Sequence, residues 1–378
     1  MSSNFETRKV YGIINVMKIE SLAISNFRNY ESLSIKFDDK VNIFIGKNAQ
    51  GKTNLLEAIY YCCIGKSFRT SKEKEIIRQN QEEARVKIFA KRKYRDCKID
   101  VRIGRKKIIQ INDLPIKKLG ELIGEINIVF FSPQELKLVR ESPSERRRFM
   151  DVDISQTNKR YFYQLSRYEK ILANRNKLLS NTKTLDAVKE TIDIWDRALV
   201  ASAKMIAFER EKFVNEIIPY AQKAHNYISG GKETLTLKYV CGCGVLLDEN
   251  FEEKFDKLLK KNLEKDFKLG YTSVGVHRDD IDIFLNENEV KSFGSQGQQR
   301  TVGLSLKLAE LENMFNINGE YPILLLDDVF SELDTDRQRR LLKFVDRTQT
   351  FITCTDERKI EGKMYFVEDG KIVSKKLK

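Results

Sequence analysis

Residues 46–53 read Gly46-Lys47-Asn48-Ala49-Gln50-Gly51-Lys52-Thr53, the phosphate-cradling pattern G-x-x-x-x-G-K-T. The context fits. Val41-Asn42-Ile43-Phe44-Ile45 is a short apolar run ending at the first glycine, as a buried parallel strand does. Residues 53–64 then predict a helix with Leu55, Leu56, Ile59 and Cys63 on one face. Glycines let the backbone approach phosphate where a Cβ would clash. Loop amides and the helix N-terminus supply oriented donors and positive potential. Lys52 adds a point charge, and the Thr53 hydroxyl is placed to ligate Mg²⁺. Without that context the same residues would be a glycine turn that happens to contain Lys-Thr.

A second half of such a site lies far downstream. Pro322-Ile323-Leu324-Leu325-Leu326-Asp327-Asp328 is an apolar strand ending in two carboxylates, the Walker B pattern. Burial of the strand would hold Asp327 at its C-terminal end, where open α/β sheets bind ligands. Asp327 is expected to hold Mg²⁺ opposite Thr53, and Asp328 to orient or deprotonate the attacking water. The separation from Lys52 is 327 − 52 = 275 residues, which implies a long insertion between the motifs. Just before the acidic strand, Ser295-Gln296-Gly297-Gln298-Gln299-Arg300 opens a helix predicted over 295–315. Ser295 can cap it, and a free helix N-terminus with a serine hydroxyl is an anion site. Ser331-Glu332-Leu333-Asp334 follows the acids directly.

The 378 residues are too many for one simple core and suggest two lobes. Residues 1–16 do not read as domain sequence and are taken as an N-terminal extension. Residues 17–25 and 33–37 predict paired antiparallel strands, and 86–90, 97–103 and 107–111 predict more, with Gly104-Arg105-Lys106 at a hairpin tip. Two helices are predicted over about 156–180 and 185–229, broken at Ser180-Asn181-Thr182, with Trp195 in their core. Further strands are expected at 235–240, 280–285, 321–326 and 350–353. The organisation expected is an ATP-binding α/β lobe from 17–130 and 293–378, and a mainly helical lobe from 131–292.

No apolar run approaches the length of a membrane span, and residues 1–11 lack the apolar core of a signal peptide. The six cysteines are scattered, which fits reduced thiols in a cytoplasm. Cys241-Gly242-Cys243 could be half a metal site, but no second Cys or His pair sits near it in sequence. The net charge of +13 favours a polyanionic partner, with nucleic acid the first candidate. The basic residues cluster at Lys91-Arg92-Lys93-Tyr94-Arg95, at Arg102 with Arg105-Lys106-Lys107, and at Arg146-Arg147-Arg148. The last cluster could face DNA or pin two lobes together.

The motif order resembles the ATP-binding-cassette (ABC) heads of the SMC and Rad-fifty type, in which a signature serine reaches the nucleotide of the other protomer. Within that class, several strings resemble the RecF family of recombination mediators. They are Ile24-Ser25-Asn26-Phe27-Arg28-Asn29-Tyr30, Gly65-Lys66-Ser67-Phe68-Arg69-Thr70, Phe131-Ser132-Pro133, Arg146-Arg147-Arg148-Phe149-Met150-Asp151 and His277-Arg278-Asp279-Asp280. The resemblance implies an ABC-type P-loop ATPase head with a compact helical lobe in place of a coiled coil. It implies ATP and Mg²⁺ as ligands, with Gly46 to Thr53, Arg69, Ser295, Gly297 and Gln298 contacting nucleotide. Lys52, Asp328 and Gln134 would serve hydrolysis, and Thr53 and Asp327 the metal. The expected function is an ATP-dependent clamp on double-stranded or gapped DNA that dimerises on ATP and is reset by weak, DNA-stimulated hydrolysis. RecR and RecO, and indirectly RecA, are the implied partners, and the cytoplasm, at the nucleoid, is the implied location. The alternative is a nucleotide-dependent scaffold in which ATP is structural glue.

Some positions depart from the family pattern. Val276 stands where proline is usual, and Gln134 where glutamate is common. Cys354-Thr355-Asp356 occupies the place of the switch histidine. Asp328 replaces the glutamate of most ABC heads, and its shorter reach is expected to slow hydrolysis. His277 is expected to belong to a structural His-Arg-Asp network more than to a reactive site.

Overall fold

The computed structural model describes residues 17–133, 136–231, 233–356 and 360–373. The extension expected at 1–16 and the expected coupling residue Gln134 lie outside them.

Two six-stranded sheets sandwich the P-loop helix Lys52–Ile64. The first is antiparallel, in the order Tyr30–Lys36, Lys18–Phe27, Ala84–Lys91, Cys97–Ile103, Ile108–Ile111, Leu114–Pro115. The second runs Lys371–Val373, Lys363–Glu368, Val41–Ile45, Thr350–Cys354, Ile323–Asp327, Ile128–Phe131, parallel throughout except for the first hairpin. The central strands Val41–Ile45 and Thr350–Cys354 are buried at every residue, as those of a parallel sheet covered on both faces must be, and the edge strand Ile128–Phe131 is buried throughout as well. One expectation is corrected. The P-loop helix has no single apolar face, because every residue from Leu55 to Ile64 is buried between the two sheets. A helix apolar all round belongs inside a core.

The helical half packs Pro143–Thr157, Lys159–Asn181, Ile192–Ser229 and Phe251–Leu269 around a three-stranded sheet of Leu235–Val240, Asp280–Leu285 and Asn288–Glu289. The predicted break falls at the Thr182 cap of the second of these helices. The next predicted helix is split into a short helix, Leu185–Lys189, and the 38-residue helix Ile192–Ser229, about 57 Å long at 1.5 Å per residue. Trp195 is only partly buried at the edge of this core. Among the described residues no helix is long and apolar enough to cross a membrane.

The helix Gln296–Asn318 joins the two halves. Val302, Leu306 and Ala309 enter the helical core, while Leu304, Leu308, Leu311 and Met314 enter the core of the parallel sheet. The long helix does the same, with Ala224 and Ile228 in the sheet core and Ala203 to Ala221 in the helical one.

The expected basic surface clusters are partly consumed internally, while Arg105 and Lys106 stay exposed. Lys91 pairs with Glu20, Arg92 with Glu125 and Glu320, Arg95 with Glu125, and Lys107 with Glu73. Arg146 is buried against Asp280, and Arg147 donates to the Asp279 carbonyl. Arg148 alone of its triplet is exposed. The two arginines therefore pin the helix Pro143–Thr157 to the start of the strand Asp280–Leu285.

The same segment anchors a second lock. Arg210 is 2% exposed and donates to Asp279 Oδ2 at 2.6 Å, to Asp151 Oδ1 at 2.8 Å and to the Val276 carbonyl at 2.6 Å. Tyr239 and the Gly242 amide complete the Asp279 carboxylate. His277 does not join an Arg-Asp network as expected. Its Nδ1 shares a hydrogen with the Tyr168 hydroxyl at 2.8 Å and its Nε2 meets the Thr272 carbonyl at 3.0 Å. Burial pushes its pKa down to about 4, so it is neutral at ordinary pH and structural. Cys243 is buried nearby, and no cluster of three or more metal-ligating side chains exists among the described residues.

Breaking a buried pair leaves a charge without compensation. Arg210→Met should therefore destabilise the fold by about 3–5 kcal/mol in equilibrium denaturation. A loss under about 1 kcal/mol, the level of an exposed pair, would contradict this assignment.

Candidate nucleotide-binding site

The P-loop runs from the end of a buried strand into the N-terminus of the helix that both sheets enclose. Two of its glycines are obligatory. A Cβ on Gly46 would lie 2.3 Å from the Val367 carbonyl oxygen. Gly51 has φ of +112°, and a Cβ there would meet the Asn29 amide at 2.6 Å. Lys52 is 7% exposed, and its ammonium donates to the Gly46 carbonyl at 2.5 Å and the Lys47 carbonyl at 2.9 Å. Burial lowers its pKa, and the nearby acids, Asp328 foremost, oppose the shift.

The Phe27–Tyr30 turn clamps this loop from behind. Asn29 donates to the Gln50 carbonyl, Tyr30 donates to the Gly51 carbonyl, and Asn54 donates to Asn29. Arg28 forms a two-pronged pair with Glu57 at 2.6 and 2.9 Å. Glu57 is fully buried on the P-loop helix and also accepts from Ser67 at 2.5 Å. Sequence reasoning missed this carboxylate. A lone acid inside the otherwise apolar stretch 55–64 was the available signal, since a buried glutamate needs a partner. The Gln50 side chain accepts from the Asp369 amide at 2.7 Å.

Across the sheet, the order of strands brings the two motifs together. Thr350–Cys354 lies between the P-loop strand and the acidic strand. Thr53 Oγ1 donates to Asp327 Oδ1 at 2.9 Å, and Thr353 Oγ1 donates to the same oxygen at 2.7 Å. The Thr353 hydroxyl in turn accepts from the Asp328 amide at 2.9 Å. Asp328 takes a left-handed backbone, φ +52°, which is uncommon away from glycine and is held by its neighbours. Its carbonyl accepts from Ser331 at 2.6 Å. Burial raises the Asp327 pKa, against the two threonine hydrogen bonds. Thr353 is the second residue missed, because a threonine in a strand reads simply as a good strand former.

Asn48, Ala49, Gly51, Lys52, Thr53, Arg69, Ser132, Pro133, Asp327, Asp328 and Thr353 share one cavity of about 550 Å³. Arg69 donates to Asn54 at 2.7 Å and lies 3.6 Å from Glu57, so it is tied to the P-loop helix as well as facing the cavity. A larger cavity of about 770 Å³ shares Phe68 and Arg69 but contains neither Lys52 nor Asp327, so it is not the phosphate site. Ser295, Gly297 and Gln298 line neither. Ser295 caps its helix in a reciprocal pair with Gln298, at 3.2 and 2.7 Å, and is solvent-exposed. The chain thus gathers the P-loop and the acids in one place and presents the signature serine in another.

The description "RecF/RecN/SMC N terminal domain" belongs to a family model that matches residues 18–368. The DNA replication and repair protein RecF of Clostridium perfringens (strain SM101 / Type A) is 45% identical over 358 residues, covering 94% of this chain and 97% of that protein. The chain belongs to the RecF family. The RecF of Clostridium botulinum (strain Alaska E43 / Type E3) is 43% identical over 366 residues, covering 95% of this chain and all of that protein. A solved structure of the recombination mediator protein RecF with ATP, from the RecFOR pathway, superposes with a TM-score of 0.87 at 35% identity, covering 95% of this chain and 98% of that one. The Smc head of Pyrococcus furiosus, 17% identical with a TM-score of 0.55 over 96% of this chain and 97% of that one, shares the fold. The fold is therefore an ABC-type ATPase head whose middle is a compact helical lobe.

Thr353→Val keeps the volume but removes the hydroxyl that serves both aspartates. It should cost about 1–3 kcal/mol of stability, the range for orphaning buried polar groups. Thr353→Ser should retain most of it. Equal losses in the two variants on chemical denaturation would show that the hydroxyl is not what matters.

Proposed function

We propose that this chain is an ATP-dependent DNA-binding clamp and recombination mediator of DNA repair. In this reading residues 17–130 and 293–378 form the nucleotide lobe and 131–292 the helical lobe. ATP lies along Gly46 to Thr53, with Lys52 on its β- and γ-phosphates. Thr53 and Asp327 would hold Mg²⁺. Their oxygens, 2.9 Å apart, are the hard donors this ion takes when phosphates and waters complete its shell. The metal would supply neutralisation of phosphate charge. Asp328 orients the attacking water and accepts its proton.

The observation that carries the proposal is the division of the motifs. The P-loop cavity lacks Ser295, Gly297 and Gln298, while Ser295 stands exposed and Gly297 and Gln298 half-buried elsewhere on the same molecule. Phe293, two residues before Ser295, is 76% exposed, and nothing lies within 4 Å of where a Gly297 side chain would start. A second copy laid head to head would cover this surface and complete the nucleotide site. ATP occupancy then controls dimerisation, and hydrolysis reopens the pair. The net charge of +13 and the repair role named for the relatives support DNA as the cargo. Duplex and gapped DNA, RecR and RecO, and indirectly RecA, are the partners this reading names.

In analytical ultracentrifugation Lys52→Ala should remain monomeric with ATP, while Asp328→Asn should accumulate as ATP-bound dimers. If both stay monomeric, the sandwich is wrong. A turnover assay with and without duplex DNA separates the clamp from a scaffold in which ATP is only glue: the clamp is stimulated by DNA, the scaffold is not. Asp328→Glu should raise the single-turnover rate if the short side chain limits hydrolysis; a rate no faster than wild type removes that idea.

A further inference from the structure

The ion pairs described above absorb part of the obvious basic clusters, yet the chain carries +13. An uncompensated part of that charge lies on the helix Lys159–Asn181. One side of it is packed into the helical core through Tyr161, Tyr168, Ile171, Arg175 and Leu179. Outside that face, positions 160, 163, 167, 170, 174 and 177 recur every three or four residues and are all exposed. They are Arg160, Tyr163, Arg167, Lys170, Asn174 and Lys177. No acid interrupts the stripe. Among the described residues none of its four cationic side chains makes an ion pair or hydrogen bond, in contrast with Lys257 and Lys260 on the neighbouring helix, which pair with acids four residues back. Lys118 extends the stripe at its N-terminal end, its ammonium 5.9 Å from the centre of the Tyr163 ring. That ring is held against the backbone of Gly120, where a Cβ would come within 2.6 Å of it.

We infer that this exposed stripe, from Arg160 to Lys177, is a track for the phosphate backbone of duplex DNA. The inference rests on the proposed DNA-binding function and gives it a surface. The four cations span 18 residues of helix, with Arg160 and Lys177 about 25 Å apart at 1.5 Å per residue. That length matches about seven base pairs of duplex at 3.4 Å each. Cations spread in a row without acids suit a linear polyanion. A protein interface would need an apolar centre, and the stripe offers only Tyr163. The contacts made would be to phosphate, giving affinity without sequence preference.

The test is fluorescence anisotropy of a labelled duplex oligonucleotide across a range of salt, with the full chain. Each phosphate contact contributes about 0.9 to the slope of log affinity against log salt. The variant Arg160→Gln/Arg167→Gln/Lys170→Gln/Lys177→Gln should lower that slope by about 3–4. It should retain the wild-type thermal midpoint and ATP-dependent dimerisation, since all four side chains are exposed and unpaired. Lys36→Gln/Lys40→Gln/Lys343→Gln/Lys371→Gln removes the same charge from other exposed positions and should leave the slope near wild type. An unchanged slope in the stripe variant overturns the inference and leaves the stripe to an acidic protein partner. An equal fall in both variants also overturns it, by assigning the effect to net charge. Wild type that binds no duplex at low salt overturns the DNA-binding reading itself.

Discussion

The hydrogen bond from Thr53 to Asp327 joins residues 274 apart in the chain, and the nucleotide site depends on it. The bond exists because the parallel sheet places one strand, Thr350–Cys354, between the two that end in the motifs. Thr353 on that middle strand donates to one aspartate and accepts from the next, so one hydroxyl sets both acids relative to the loop. The surroundings serve that arrangement. The sheet's apolar strands hold the two ends in register, and the Phe27–Tyr30 turn and the Arg28–Glu57 pair hold the loop and its helix from the other side.

The signature helix is placed by the same logic. It is buried on two faces, one in each core, so its N-terminus cannot shift independently of either half. The strand Ile128–Phe131 leads into Ser132 and Pro133 on the cavity wall and then into the short helix Leu136–Arg140. Arg140 donates to the buried Gln299 near the start of the signature helix. The short helix Leu136–Arg140 is thereby tied to the start of the helix Gln296–Asn318.

Much of this was legible in the sequence, for definable reasons. The P-loop and the acidic strand each lie within one short segment, so their chemistry shows in local order. Helices such as Lys159–Asn181 have a periodic face that can be read directly, although the Asn158 cap that separates it from the helix Pro143–Thr157 was not read. Contacts between distant segments were not legible. Glu57 and Thr353 look ordinary until the fold brings Arg28 to one and Asp327 to the other. The basic clusters misled because their partners, such as Glu320 for Arg92 or Asp280 for Arg146, are far away in sequence. The free cations of the helix Lys159–Asn181 drew no notice because they are dispersed along the chain and align only on its surface. The P-loop helix was read as one-sided because periodicity cannot reveal a second sheet.

The central claim is that one nucleotide site is built from two copies of the chain, with Lys52 from one and Ser295 from the other. Mixing two defective variants tests it most directly. Lys52→Ala lacks the phosphate lysine, and Ser295→Arg blocks the signature face, so neither should self-associate with ATP. A pair of one of each retains a single intact site, formed by the loop of the second and the serine of the first. With differently labelled variants, fluorescence energy transfer should appear on adding ATP to the mixture and be absent when either variant carries both labels. No transfer in the mixture, or ATP-dependent transfer within either variant alone, would contradict the account.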